Sequence, residues 1–541
     1  MRNLTMKISS LFNVNGSIGK SAYGTTDFPA VSDLLEHMDY LGIDQSLAWH
    51  FAARDMNPTL GNRKLLTEIA EAKAEDRILP AFIITPACFY GNDVLDYLKE
   101  CFASKRVRAI RLTPEMSRFP IRRIERVLAE LAKFNPLVLW DTWTFPEEQN
   151  FIDLEHLATK FPQVNFAVTQ VMWQGFGGVL DLMWRCPNTY IDISWLHMRS
   201  SIELLCKNFG AERVLFGVGL KSHYGAAIAE LAFAQISDSE RELIAHGNVE
   251  SLLQLPDLDK KLAKDCSAKL DKPLWQKFKN GEALSDIKII DAHAHDQLPT
   301  CGWFLPETSL EENVTVLEKQ AKRLKINQTI LSSGIALFGD GVEGNYASEK
   351  AFDGYGDMFK GYIGFNPRFS DVLVPLFDDF FSRDFYVGFK LLAAYWKIPV
   401  TDSSYNPVWE YANKHHLPIL IHTWDDKYNS PVMLAEIVKK FPNAIFMLGH
   451  SGGGTAGRFE AIELAQNNDN VYLEFCGSFT SPELFEDAIK QVGIEKVIYG
   501  SDTLGHSEVW ELGRFLSLPL NDDDLQPALA QNIENILKKR V

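Results

Sequence analysis

Long apolar runs, paired cysteines and concentrated positive charge are all missing from this chain of 541 residues. No run reaches the roughly 18 consecutive apolar residues of a membrane-spanning helix. The opening MRNLTMKISSLFNVNG is too short and too interrupted in its apolar part to read as an export signal. The seven cysteines are odd in number and contain no Cys-x-x-Cys pair, so reduced thiols are expected rather than a disulfide framework. With a formal net charge of -17 and no local basic patch, nucleic acid and anionic membrane surfaces are not expected as partners. These absences together predict a soluble, cytoplasmic protein that acts on a small molecule.

What is present is a large core. Hydrophobic residues make up 46% and charged residues 23%, the balance of a folded globular protein. Single cores stop growing at roughly 250–300 residues, so the length predicts two domains of barrel size.

An internal repeat sets the division. Residues 161–170 read FPQVNFAVTQ and residues 441–450 read FPNAIFMLGH; residues 210–219 read GAERVLFGVG and residues 493–502 read GIEKVIYGSD. The pairs PLVL and PILI, Leu11-Phe12 and Ile289-Ile290, and Gly247-Asn248 and Gln531-Asn532 keep the same order. Each half alternates short β-branched or aromatic runs with longer amphipathic stretches, the pattern of βα units around a parallel sheet. About eight units fit each half, whose length suits a (β/α)8 barrel better than a doubly wound sheet. The predicted fold is therefore α/β, two tandem (β/α)8 TIM-type barrels: a first at 1–256, a charged, partly helical linker at 257–285, and a second at 286–541.

The second half carries the chemistry. In IKIIDAHAHD, His293 and His295 stand at i and i+2, on one face of a strand, where they can share a metal ion. Alone this is weak, since roughly 0.3 such pairs arise by chance at this histidine content. Further groups follow at the C-terminal ends of apolar runs, where barrel active sites lie: His422 after PILI, His450 after IFMLG and Asp502 after VIYGS. Imidazole nitrogens with a carboxylate oxygen suit zinc, with manganese and iron as alternatives. Such a site leaves a position for water, whose pKa a metal lowers towards about 7.

The motifs IIDAHAHD, LIHTW, GHSGG and YGSD resemble those of the amidohydrolase-related family, in the branch that includes aminocarboxymuconate-semialdehyde decarboxylase. The resemblance covers the whole second half. It implies that His293, His295, His422 and Asp502 hold one divalent metal ion, while His450 is the catalytic acid or base and Asp502 assists it. The family often places Lys-x-His-Pro after its fourth strand; here GFKLLAAYW keeps Lys390 but has Leu392 and Ala393 in the other two positions. Lys390 is read as a structural or substrate-binding cation, with a carboxylated bridging ligand as the alternative.

Arg368 in GFNPR is a second candidate for a substrate carboxylate. Trp303, Tyr395, Trp396 and Trp424 are candidates for lining a pocket, with core packing as the alternative. His506 reads as a supporting residue, and His415 and His416 as the basic end of a helix. The first half lacks the set: Asn13, Asn15 and Ser17 stand opposite Asp291, His293 and His295. Trp140 or Asp141 stands opposite His422, Gln170 opposite His450 and Gly219 opposite Asp502, while Arg111 matches Lys390 and His223 matches His506. It reads as a degenerate copy, kept as scaffold or as the partner in an internal pseudo-dimer, with a homo-oligomer also open.

The function that follows is a metal-dependent hydrolase using an activated water on a small carboxylated, amide or lactone substrate. The alternatives are a non-oxidative decarboxylase with the same ligands, and a non-catalytic binding or assembly protein.

Overall fold

A computed structural model describes residues 8–91, 93–142, 146–255, 270–297, 309–478 and 483–541. The chain divides into two compact units, one of Met1–Asp271 with Lys279–Gly281, the other of Lys272–Phe278 with Glu282–Val541. Within the stretch expected to be a linker, the short helix Pro273–Phe278 belongs to the second unit, where Leu274 N donates to Asp522 and Lys272 Nζ to the carbonyls of Leu518 and Leu520. Residues 257–269 of that stretch lie outside the described residues, as does Trp303. Among the described residues, no helix is long and apolar enough to cross a membrane.

Each unit is an eight-stranded parallel sheet in sequential order. The first contains β1 (Phe12–Ile18), β2 (Gln45–His50), β3 (Ile78–Ile83), β4 (Ala109–Leu112), β5 (Leu137–Asp141), β6 (Asn165–Thr169), β7 (Thr189–Asp192) and β8 (Val214–Leu215). The second contains β9 (Ile290–His295), β10 (Gln328–Ser332), β11 (Phe359–Gly364), β12 (Tyr386–Leu391), β13 (Pro418–His422), β14 (Ile445–Gly449), β15 (Val471–Glu474) and β16 (Val497–Ile498). Val14 N donates to Phe216 O in the first and Ala292 N to Tyr499 O in the second, both at 3.1 Å, so the last strand returns to the first and the sheets form barrels. Alternate strand residues fill the interiors: Phe12, Val14, Leu47, Ala81, Leu137 and Leu139 in one, Ile290, Ala292, Ile330, Tyr362, Leu420 and Met447 in the other.

The repeat extends to irregular detail. Each barrel carries a bulge at the pairing of its first two strands, between Asn13 and Gly16 and again opposite Asp291 to Ala294. Each closes with a five-residue π-helical segment, Leu243–Gly247 and Pro527–Gln531. Asn188 Nδ2 donates to the carbonyls of Ala158, Phe161 and Val164, and Asn470 Nδ2 to those of Val438, Phe441 and Ala444. Both asparagines anchor the turn that leads into the sixth strand of their barrel.

The strand register fixes the correspondence between the halves. Arg111 pairs with Leu139 as Lys390 pairs with Leu420, so Asp141, rather than Trp140, is the counterpart of His422. At the mouth of the first barrel Arg111, fully buried, donates from Nη2 to Asn15 Oδ1 at 2.5 Å and to Asp141 Oδ2 at 2.8 Å. Gln170 Nε2 reaches the same two oxygens at 3.2 and 3.4 Å. A guanidinium thus stands among the residues that replace the predicted ligands, and the Asp141 carboxylate balances its charge.

Two stability tests follow from this architecture. Asn470→Ala leaves three carbonyls without their shared donor and is expected to destabilise the second barrel by about 1–3 kcal/mol, with Asn188→Ala doing the same to the first; an unchanged thermal midpoint in both would contradict the anchoring role. Arg111→Met leaves Asp141 buried without a counter-charge and should cost about 3–5 kcal/mol. Adding Asp141→Leu should return most of that loss, and a double variant as unstable as the single one would show that the pair is not the cause.

Candidate metal centre

The predicted residues of the second half gather at the C-terminal ends of their strands. His293 and His295 project from β9, whose pleat puts i and i+2 on one side. Asp502 follows β16 and is brought to them by Asp502 N donating to His293 O at 2.7 Å. Asp502 Oδ1 lies 3.0 Å from His295 Nε2 and 3.4 Å from His293 Nε2, and the three ligand atoms fall within 4.8 Å of one another. His422, at the end of β13, is not among these three and lies against His450 instead. Its ring centre is 4.5 Å from that of His450, which is itself 5.1 Å from that of His293. Among the described residues, every cluster of histidine, cysteine and acidic groups close enough to share an ion lies in the second barrel.

The backbone here is held in the left-handed region at three residues other than glycine: His450 (φ 66°), Ser451 (φ 44°) and Asp502 (φ 57°). Such conformations cost free energy and persist only where the surroundings enforce them. Ser451 Oγ donates to Glu474 O at 2.8 Å and Gly452 N to Thr423 Oγ1 at 2.9 Å, which fixes the turn carrying His450.

Burial sets the protonation states. It lowers His293 to about 3, with the Lys390 charge adding to the effect, lowers His295, and drives His422 well below the ordinary imidazole value. All three are therefore neutral near pH 7, the form that binds a metal. Burial alone would raise Asp502, but the surrounding rings, above all His293 and the hydrogen bond from His295, outweigh it and hold the carboxylate well below its usual range. His506, lowered by burial to about 4, stands 3.6 Å from Asp502 Oδ2 on the far side.

Two residues that the motifs did not single out, Glu474 and Cys476, complete the centre. Glu474, at the end of β15 and fully buried, has Oε2 2.7 Å from His293 Nδ1. It also accepts from the backbone N of His450 at 3.3 Å and of Cys476 at 2.6 Å, and from Cys476 Sγ at 3.0 Å. The signal was in the repeat: YLEFC at 472–476 aligns with YIDIS at 190–194, each with an acid at the end of an otherwise apolar strand.

Lys390 is fully buried on β12 with Nζ 2.5 Å from His293 Nε2, and burial lowers it to about 8. It therefore shares with any metal the lone pair of His293 Nε2. The donor set fits a divalent cation all the same, with neutral imidazoles and an ionised carboxylate converging on one point. Trp424 stacks on the His422 ring at 6.0 Å and 11°, and Tyr395, 59% exposed, meets the same ring edge-on at 5.3 Å. Trp396 is core instead, buried with Nε1 donating to Leu337 O. Arg368 follows β11 and donates from Nη1 to Trp396 O at 2.8 Å. His416 caps the helix Asn406–His415 in a left-handed conformation, and His415 lies against Val541 O.

Comparison with known proteins agrees with this architecture. The profile of the amidohydrolase family matches residues 50–255 and again residues 347–538. No curated protein sequence matches. Among solved structures, 5-carboxyvanillate decarboxylase from Sphingomonas paucimobilis is 13% identical, over 47% of this chain and 99% of that one, with a TM-score of 0.36. The 2,6-dihydroxybenzoate decarboxylase from Rhizobium is 16% identical, over 46% and 99%, with a TM-score of 0.35. A dihydroxybenzoic acid decarboxylase from Polaromonas sp. JS666, with bound manganese and the inhibitor 2-nitroresorcinol, is 14% identical, over 47% and 97%, with a TM-score of 0.36. With one profile matched in both barrels, this chain belongs to the amidohydrolase family of metal-dependent enzymes and carries its fold as a tandem duplication.

Proposed function

We propose that the second barrel is a metal-dependent hydrolase acting on a small carboxylated, amide or lactone substrate. In this reading His293, His295, His422 and Asp502 hold a single divalent cation, zinc first among the candidates. The observation that carries it is the convergence of His293 Nε2, His295 Nε2 and Asp502 Oδ1 on one point at the mouth of the barrel. When bound, a divalent cation supplies Lewis acidity to a carbonyl oxygen and to water.

The chain's own groups do the rest. His450 Nδ1 lies 2.7 Å from the carbonyl oxygen of Cys476, which can only accept, so the ring proton sits on Nδ1 and the Nε2 lone pair is free. Nε2 takes a proton from the water that attacks the carbonyl carbon, then returns it to the departing nitrogen or oxygen as the scissile bond breaks. Lys390 Nζ turns from His293 towards the substrate, where its charge suits a carboxylate. Trp424 flanks the reacting group, and Arg368 offers its remaining N–H donors at the rim. The first barrel serves as a metal-free scaffold, with Arg111 among the positions where the second has its ligands.

Decarboxylation is the second reading, favoured by the aromatic rings of Trp424, stacked on His422, and of Tyr395, edge-on to it, which suit a planar unsaturated acid. His450, protonated, then delivers its Nε2 proton to the ring or enoic carbon as the carboxylate leaves as carbon dioxide with its bonding pair left on that carbon. A screen of lactones, amides and aromatic or enoic acids separates the two by whether carbon dioxide is released.

Purified full-length protein is expected to hold about one divalent ion per chain, and His293→Ala with His295→Ala to remove it; two ions per chain, or full occupancy in the double variant, would overturn the ligand set. His450→Asn should lower turnover by about 100-fold or more with metal content unchanged, whereas Asp502→Asn should lower both. Loss of metal from His450→Asn would move His450 into the ligand set and leave Asp502 as the proton carrier.

A further inference from the structure

We infer that Glu474 is a positioning residue for the metal centre: its carboxylate fixes the His293 ring so that Nε2, and not Nδ1, presents a lone pair to the ligand point, and ties that ring to the turn carrying His450. The inference rests on the proposed metal site and adds a residue that none of its motifs contains. A carboxylate has no proton to give near neutral pH, so the 2.7 Å contact is a hydrogen bond donated by His293 Nδ1. The proton is thereby held on the side of the ring away from Asp502. Both ring nitrogens of His293 are then assigned, and so is the rotation of the ring, because Glu474 is itself fixed by donors from the backbone of His450 and Cys476 and from the Cys476 thiol. A histidine ligand whose second nitrogen is held by a carboxylate is more basic and already oriented before the ion arrives.

The first barrel supplies a comparison within the same chain. Asp192 occupies the position of Glu474, and it accepts from the backbone N of Gln170 at 3.0 Å as Glu474 accepts from that of His450. What the first barrel lacks is the second half of the arrangement. Its acid is one methylene shorter, and Asn15 replaces the ring, with Nδ2 donating to Ser194 Oγ instead. The bond to the turn is shared by both barrels, so it belongs to the fold. The bond to a strand-one ring is present only where the predicted ligands are, so it belongs to the site.

The two roles separate experimentally. In full-length protein, zinc affinity measured by competition with a chromophoric chelator should fall about 10- to 100-fold in Glu474→Gln, which keeps the shape but loses the charge. Glu474→Asp should behave alike in zinc binding while keeping the thermal midpoint near that of the wild type, because an aspartate still reaches the backbone of the turn, as Asp192 does. With His293→Asn already in place, either change should weaken zinc by no more than about twofold, since the ring it orients is gone. Equal loss of affinity with and without His293, or a thermal midpoint that falls in step with affinity in both variants, would show a merely structural role and overturn the inference. A wild-type protein that binds no zinc in this titration, and no manganese in a parallel one, would overturn the metal reading itself and this inference with it.

Discussion

The hydrogen bonds that join the first strand of the second barrel to its last govern everything at its mouth. His293 and Asp502 are separated by most of the domain in sequence, and only closure of the sheet places the backbone N of Asp502 on the carbonyl of His293. A parallel barrel makes that closure a property of the packed interior. Ile290, Ala292, Tyr362 and Met447 fill it by alternation, and the residues that end these strands are carried to one face of the barrel by the same packing. Asp291 works on the same joint from beneath. Its buried carboxyl accepts from His293 N and from both the N and the Oγ of Ser501, tying β9 to the segment that carries Asp502.

Rigidity at this joint has an electrostatic counterpart. The centre collects several imidazoles, two carboxylates and a lysine, most of them buried, where unpaired charge is expensive. The arrangement remains tolerable because the rings are neutral and the carboxylates accept several donors each. Glu474 draws its acidity from this company, brought to about 2 despite burial by the His293 ring and the donors around it. In the first barrel Asp192, with fewer donors, is pushed by burial up to about 7. The same strand position thus holds a carboxyl pulled below its ordinary range in one copy and pushed above it in the other.

Much of this was legible in the sequence because the relevant periodicities are short. The alternation of β9 puts His293 and His295 on one face whatever surrounds them, and the ordered matches between halves show that one fold is repeated. Contacts across strands were harder to read. Nothing near Lys390 in sequence indicates that its nitrogen meets His293, because that meeting depends on the relative stagger of β9 and β12. Glu474 lay within an apolar run, where an acid reads as an exception rather than as part of a motif. The alignment between YIDIS and YLEFC held the clue, but only the register showed that the longer acid reaches a ring. Trp140 against Asp141 was the same difficulty in miniature, a slip of one residue that only strand pairing resolves.

The contact between strand four and strand one is a polar feature present in both copies, as Arg111 to Asn15 and as Lys390 to His293. Its two versions differ in the kind of charge they place at the mouth. A lysine can shed its proton and swing aside, whereas a guanidinium keeps its charge at any physiological pH and is pinned here by Asp141. A histidine placed at Asn15 or Gln170 would set an imidazole in a mouth whose centre already holds the Arg111 guanidinium. The arginine–aspartate pair at the fourth strand therefore fixes a charge in the first mouth that the lysine of the second can release, so making that mouth resemble the second would take several coordinated substitutions.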